Sequence, residues 1–355
     1  MSKPKRRSRM DTSTLLKNLS NTFGVSSFEN YTFPLIEEEL KNISPDIKLE
    51  KVGIGNLVAT YGNESPKIAF FAHVDEIGIV ISKIIDEHFA RISPVGGVDP
   101  RTLVGKRVLF KTKDAEKIGV IGFLAPHLQK KEDREKSPSF DELFVDFSIS
   151  GGTSNINVGD MGVIQVQAVE LENGKISNKS LDNRVGAAVL IKSLEYLQNL
   201  KFEGQLTLSF NKGEEVGLVG AQGSAHHRKP DFAIVVDVTF GEKLPENFEP
   251  IKLGEGPVIG IGTTVTRSIF EELTKTAKSN NIKYQLETFT RGSGTEADVV
   301  QISSTGVKTG VVSVPILNMH SPNEVVDVKD VEESAKLLSF FALNTSLTWK
   351  GSRNL

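Results

Sequence analysis

A chain of 355 residues that is 38% hydrophobic and 25% charged, with a formal net charge of -3, has ample apolar material for a folded core. That charge gives no electrostatic case for nucleic acid, and no apolar run reaches the ~18 residues of a membrane helix. The absence of cysteine removes a disulfide framework and any thiolate metal site, so a metal would have to be held by carboxylates and by the six histidines.

In chain order, residues 1–10 carry a basic run, Lys3-Pro4-Lys5-Arg6-Arg7-Ser8-Arg9, which lacks the apolar core of a signal peptide and reads as a disordered tail. A cytoplasmic location is therefore expected. Helices are expected over 11–19 and 29–40, the second with Leu35, Ile36 and Leu40 on one face and Pro34 in its first turn. Strands are expected over 52–61 and 67–72. The second is apolar on both faces, as a central strand between helices would be, and runs into His73-Val74-Asp75-Glu76.

From 78 to 175 the texture changes to short β-type runs at 79–85, 107–111, 118–123, 143–147 and 162–169, separated by turn clusters. The polar stretch 130–138 reads as a mobile loop. Strand and helix patterns return from 180 onward. The expected architecture is therefore an α/β domain of residues 11–77 and 176–355, interrupted by a small all-β unit of residues 78–175.

In the second α/β segment, Asp182-Asn183-Arg184 precedes a helix with Val185, Val189, Leu190, Leu194 and Leu197 on one stripe, where Asp182 could serve as the N-cap. The alternating strand 205–210 leads to Gly213-Glu214-Glu215-Val216-Gly217. Strand 233–236 is expected to end at Asp237, and strand 310–314 leads to Met319-His320. A last helix is expected over 328–343. His226 and His227 read as an exposed loop and His88 as a turn residue of the β unit.

Four apolar strands thus each deliver a side chain able to bind metal: His73, Glu215, Asp237 and His320, with Asp182 at a helix start as a fifth. Ends of strands in open α/β sheets are where ligand crevices form. Two carboxylates ~4 Å apart repel by about 4 kcal/mol at an effective dielectric near 20. Gathering Asp75, Asp182, Glu214, Glu215 and Asp237 thus calls for counter-charge. Two divalent cations supply it, and histidine with carboxylate suits zinc, cobalt or manganese.

The motifs Ala72-His73-Val74-Asp75-Glu76-Ile77-Gly78, Leu181-Asp182-Asn183-Arg184-Val185-Gly186, Glu214-Glu215-Val216-Gly217-Leu218, Val236-Asp237-Val238-Thr239 and Met319-His320-Ser321-Pro322 together resemble the TET-type dinuclear metalloaminopeptidases. This is the family of glutamyl aminopeptidases and of proteins once labelled cellulase M. Gly97-Val98-Asp99-Pro100-Arg101 and Leu253-Gly254-Glu255-Gly256-Pro257 resemble further landmarks of that family.

The resemblance implies a mixed-sheet α/β/α catalytic domain, a PDZ-like dimerisation domain in the interrupting unit, and a tetrahedral dodecamer acting on peptides. It implies one metal on His73 and Asp237, another on Glu215 and His320, and Asp182 bridging them. Glu214 would be the general base, and Asp75 would orient His73. A cis peptide bond between Asp182 and Asn183 is also implied, as is a histidine at the position of His127 reaching a neighbouring subunit's site. The family's Gly-Gly-Thr-Asp-Ala pocket loop stands here as Ser293-Gly294-Thr295-Glu296-Ala297, which makes Gly294 and Thr295 candidate substrate contacts. Arg291 beside that loop would bias the pocket toward acidic or polar N-terminal residues. Two competing readings are a glycosidase, which would use paired carboxylates but has no need of the two histidines, and a non-catalytic assembly protein of the same fold.

Overall fold

The computed structural model describes residues 10–129, 131, 136–241 and 250–353. The basic run at the N-terminus lies outside the described residues, as does most of the polar segment 130–135. The first α/β segment contributes α1 (Thr12–Asn21), α2 (Phe33–Ile43), β1 (Lys48–Val52), β2 (Asn56–Gly62) and β3 (Lys67–His73). Helix α2 starts later than its periodicity suggests because Pro34 lacks an amide hydrogen and belongs in a first turn. The run expected as one strand over 52–61 instead starts at Val52, the end of β1, turns over 53–55 and continues from Asn56 as β2, the antiparallel partner of β1. Gly53 and Gly55 turn it with positive φ angles of 59° and 100°.

The β unit contains β4 (Gly78–Ile84), β5 (Phe89–Val95), β6 (Arg107–Lys111), β7 (Glu116–Gly122), β8 (Phe144–Asp146) and β9 (Met161–Ile164). They close into an antiparallel barrel in the order β4-β5-β8-β7-β6-β9 around a core that includes Ile81, Val108, Phe110, Val145 and Phe147. The chain then returns to the large sheet through β10 (Val169–Leu171) and β11 (Lys175–Asn178). The β-type run at 162–169 is therefore divided: its start closes the barrel and Val169 opens a strand of the large sheet.

The remainder comprises α3 (Leu181–Leu197), β12 (Gln205–Asn211), α4 (Ala221–Arg228), β13 (Phe232–Phe240), β14 (Val258–Gly262), α5 (Arg267–Ser279), β15 (Gln285–Phe289), α6 (Ala297–Val300), β16 (Lys308–Leu317), β17 (Glu324–Asp327) and α7 (Val328–Arg353). His226 and His227 are exposed as expected, but they lie in the last turn of α4 and not in a loop.

The large sheet has 11 strands in the order β1-β2-β12-β3-β13-β16-β17-β11-β10, with β14 joined to β16 and β15 to β14. Its centre, β12-β3-β13-β16, is parallel, and the flanking pairs are antiparallel. Side chains alternate across it. Ile68, Phe70 and Ala72 of β3, with Ile234 and Val236 of β13, pack into the core that includes α1, α2, α3 and α7. Ala69 and Phe71, with Ala233, Val235 and Val311, face the opposite layer, where Ala221 and Ala225 of α4 and Ala297 and Val300 of α6 cover them.

Those two covering helices are only 8 and 4 residues long. They cover Ala69 and Phe71 but not His73, and Ala233 and Val235 but not Asp237 or Thr239. The same alternation that builds the core therefore turns these later residues into an open crevice. Asp237 does not end its strand: β13 continues to Phe240 along β16 but pairs with β3 only as far as Val235. Beyond that point one side of β13 is free to line a cavity.

Candidate metal centre and substrate cavity

His73 is the last residue of β3 and only 1% exposed. Asp75, fully buried two residues on, accepts from Ser26 Oγ at 2.6 Å and from the backbone amides of Glu214 at 3.0 Å and Glu215 at 3.2 Å. Its Oδ1 lies 3.5 Å from His73 Nδ1, an ionic contact at the edge of hydrogen-bond range. One carboxylate thus ties the end of β3 to the turn that carries the two glutamates.

The three residues of Asp182-Asn183-Arg184 do separate work. Asp182 sits at the mouth of α3 with extended backbone angles, and its peptide bond to Asn183 is cis. It does not cap the helix. Asn183 does, its Oδ1 accepting from Gly186 N at 2.9 Å while its Nδ2 donates to Val236 O at 2.8 Å and ties α3 to β13. Arg184 is fully buried and donates to Leu19 O at 3.0 Å and Thr32 Oγ1 at 2.7 Å, fastening the N-terminal helices. Asp182 is thereby left free to face the crevice.

There its two oxygens point to two histidines: Oδ1 is 3.2 Å from His73 Nε2 and Oδ2 is 3.3 Å from His320 Nε2. Asp237 Oδ1 is 3.7 Å and Glu214 Oε2 3.8 Å from His73 Nε2, and Glu215 Oε1 is 3.6 Å from His320 Nε2. Donors sharing one tetrahedral ion with bonds of ~2.0–2.2 Å stand ~3.3–3.6 Å apart. Two groups have atoms within 4.8 Å of one another and could each hold an ion: His73 with Glu214 and Asp237, and Asp182 with Glu215 and His320.

Burial and mutual repulsion shift the protonation of these groups. Burial alone would lower the His73 imidazole, yet Glu214, Asp182, Asp237 and Asp75 raise it well above its ordinary value. Burial pushes Glu214 up to about 7, with His73 opposing and Asp237 and Asp182 adding to the rise. Burial and then Asp182 raise Glu215 well above the usual carboxylate range, and burial also raises Asp237. Asp182 and Asp75 are driven down instead: burial opposes this, but contacts with His320 and His73 prevail at Asp182, and contacts with His73 and Ser26 at Asp75.

Sequence reasoning missed Glu324, the first residue of β17 and 2% exposed. Its Oε2 accepts from Asp182 N at 3.0 Å and its Oε1 from His320 N at 2.9 Å, so it sets the backbone of both residues. The only available signal was a carboxylate heading the apolar pair Val325-Val326, which does not distinguish it from any strand-end glutamate. Glu296, in sequence a residue of the pocket loop, is fully buried and accepts from Asn211 Nδ2 at 2.8 Å behind the crevice.

The crevice widens into a cavity of about 540 Å³ lined by His73, Asp182, Glu214, Glu215, Asp237 and His320 at its base. Gly294 and Thr295 are among the lining residues. Arg291 does not: it is exposed, and its carbonyl accepts from Thr263 Oγ1 at 2.6 Å. His127 is exposed in the short turn Pro126–Leu128 and is likewise not among the lining residues.

The lysyl aminopeptidase of Pyrococcus furiosus is 30% identical over 330 residues, covering 91% of this chain and 94% of that protein. Aminopeptidase APDkam598 of the archaeon Desulfurococcus kamchatkensis shares 33% identity, superposes with a TM-score of 0.87, and is matched over 96% of this chain and 97% of its own. The TET1 peptidase of Pyrococcus horikoshii, which can assemble into a tetrahedron or a large octahedral shell, has 30% identity and a TM-score of 0.81, with 94% of this chain and 99% of that chain covered. The model of the M42 glutamyl aminopeptidases matches residues 55–337, a span that holds the whole crevice and the barrel, and the chain belongs to that family.

Proposed function

We propose that this protein is a metal-dependent aminopeptidase that removes N-terminal residues from peptides, using two divalent cations and Glu214 as general base. Asp182 carries the reading: a single carboxylate offers one oxygen to the His73 group and the other to the His320 group, at 3.2 and 3.3 Å. His73 and Asp237 would hold one cation, Glu215 and His320 the other, and Asp182 both. The donor set fits, because buried carboxylates driven up in pKa are relieved by positive charge, and imidazole with carboxylate suits zinc, cobalt or manganese. Cations there supply Lewis acidity toward a carbonyl oxygen and make a water more acidic.

The chain's own groups do the remaining chemistry. Glu214 reaches into the cavity beside His73 and takes a proton from water as the water oxygen attacks the scissile carbonyl carbon. It returns that proton to the leaving amine as the carbon–nitrogen bond breaks. Asp75 fixes the His73 ring and the backbone that presents Glu214 and Glu215. Gly294 and Thr295 border the space for the substrate's first residue.

The barrel, β4 to β9, is proposed as the dimerisation unit within a homo-oligomer, with the large sheet as the catalytic unit. Because β10 already pairs in the large sheet, the proposed division falls between Ile164 and Val169 and not at 175.

The test is dialysis against a chelator followed by addition of zinc, cobalt or manganese, with aminoacyl-p-nitroanilides, an N-acetylated peptide and cellulose as substrates. Activity on free N-termini is expected to vanish and return with metal, while the blocked peptide and cellulose stay intact. Metal-independent activity, or cleavage of cellulose, would overturn the proposal.

A further inference from the structure

The cavity holds one charged side chain that neither the metal groups nor the general base accounts for. Among the described residues that line it, Glu287 is the only acidic or basic group besides His73, Asp182, Glu214, Glu215, Asp237 and His320. Its position follows from strand alternation. On β15, Leu286 and Thr288 are exposed, whereas Glu287 and Phe289 turn inward to the cavity. Glu287 pairs in register with Gly260 and Phe289 with Gly262, so the adjacent strand puts no side chain beside them. Gly260 has no room for one, since a Cβ there would lie 2.5 Å from the Phe289 ring.

Glu287 is also held in place. Thr239 Oγ1 donates to its Oε1 at 2.9 Å, and among the described residues no donor engages the other oxygen. Thr239 is two residues beyond Asp237 on the same face of β13, a step of ~6.6 Å along an extended strand. A substrate whose α-amine and scissile carbonyl lie at the Asp237 end of the crevice would send its first side chain along this wall. Burial raises the Glu287 carboxyl, so a cation that offsets the lost hydration is the complementary partner.

We propose that Glu287 is a specificity carboxylate and that the enzyme prefers peptides beginning with lysine or arginine, whose terminal charge pairs with Glu287 while the apolar stem lies along Phe289. This rests on the aminopeptidase reading above and replaces the acidic preference expected from Arg291, which lies outside the cavity lining.

The experiment uses the metal-loaded full chain. kcat/KM is measured on the p-nitroanilides of lysine, arginine, leucine and glutamate, beside calorimetric binding of L-lysinamide and L-norleucinamide, which differ in the terminal ammonium. The expected ranking is lysine and arginine above leucine, and glutamate last, with L-lysinamide bound more tightly. In Glu287→Gln the ratio of lysine to leucine kcat/KM is expected to fall ~10- to 100-fold, the size of a lost buried charge pair. If that variant fails to fold, the wild-type ranking and the two amides still decide. Cleavage of leucine or glutamate substrates without a lysine or arginine preference, or a ratio that survives Glu287→Gln, overturns the specificity and leaves the aminopeptidase reading standing. Failure to cleave any of the substrates with any metal overturns both.

Discussion

The two halves of the proposed metal site are built differently. His73 and Asp237 sit on β3 and β13, adjacent parallel strands of the sheet centre, and both are nearly inaccessible. They lie two residues beyond Phe71 and Val235, the last pair in register between the two strands, and Asp75 braces the end of β3. Glu215 and His320 sit on turns after β12 and β16, and the His320 side chain is 36% exposed. Their geometry is imposed from outside the sheet centre. Glu324 holds the His320 backbone, and the barrel's loop after β5 presses on the ring, so that a Cβ on Gly97 would lie 2.7 Å from His320 Nδ1. A deep half on strands and an open half on loops should differ in how readily each exchanges a cation and in what disturbs it.

The sharpest break of this comparison is at the junction of the halves. Glu214→Gln keeps size and polarity but cannot accept a proton, so kcat is expected to fall by ~10²- to 10⁴-fold with both metals retained and no rescue by added metal. Glu215→Gln is expected to lose the open-half metal and recover some activity in excess cation. Elemental analysis beside kcat checks both, and the opposite pattern reverses the two assignments.

Smaller effects separate the supports. Glu324→Gln is expected to weaken metal binding by ~10- to 100-fold in the open half, which it supports through His320, and less in the deep half, which it reaches only through the shared Asp182. Asp75→Asn is expected to weaken the deep half most, through His73, and the open half less, through the Glu215 backbone. Metal titrations that find the larger loss in the open half for the first variant and in the deep half for the second support the division. Gly97→Ala should displace the His320 ring and weaken only the open half, by a smaller factor that titration in the same way would read.

The mildest effect is on pH dependence. Glu214, Glu215 and Asp237 have folded-state pKa values raised above their ordinary values, Glu214 to about 7. The metal-free folded state therefore binds more protons than the unfolded chain between the usual carboxylate range and about pH 7, and its stability falls as pH rises through that window. His73 and His320, also raised, extend the fall to higher pH. Cations remove the repulsion, so the gain in Tm on adding metal is expected to be larger near pH 7.5 than near pH 5.5. An equal gain at both would contradict the charge argument.

Much of the site could be read from the sequence because its donors follow runs of apolar strand residues, and a period-two pattern ending in histidine or carboxylate is visible in one dimension. Asp237 shows the limit of that signal. The apolar run stops at Val236, but the strand does not, because Val238 and Phe240 continue pairing with β16. The barrel was legible as a change of texture, yet β5 went unseen, and its closure, like the return of Val169 to the large sheet, depends on partners far apart in sequence.

The sequence by itself determined which residue types could meet: a chain without cysteine had to build any metal site from histidine and carboxylate, and five carboxylates, Asp75, Asp182, Glu214, Glu215 and Asp237, stand with His73 and His320 next to apolar strand runs or at a helix start. It also determined the two faces of the central strands, because alternation is a local property of extended backbone. Only the tertiary structure decided that α4 and α6 are too short to cover those strands, so that His73, Asp237 and Thr239 line a cavity where Phe71 and Val235 line a core. It alone brought Glu324 to Asp182 and His320, and Glu287 to Thr239. A carboxylate's role depends on which donors and charges surround it, and those come from segments whose proximity only the folded chain establishes.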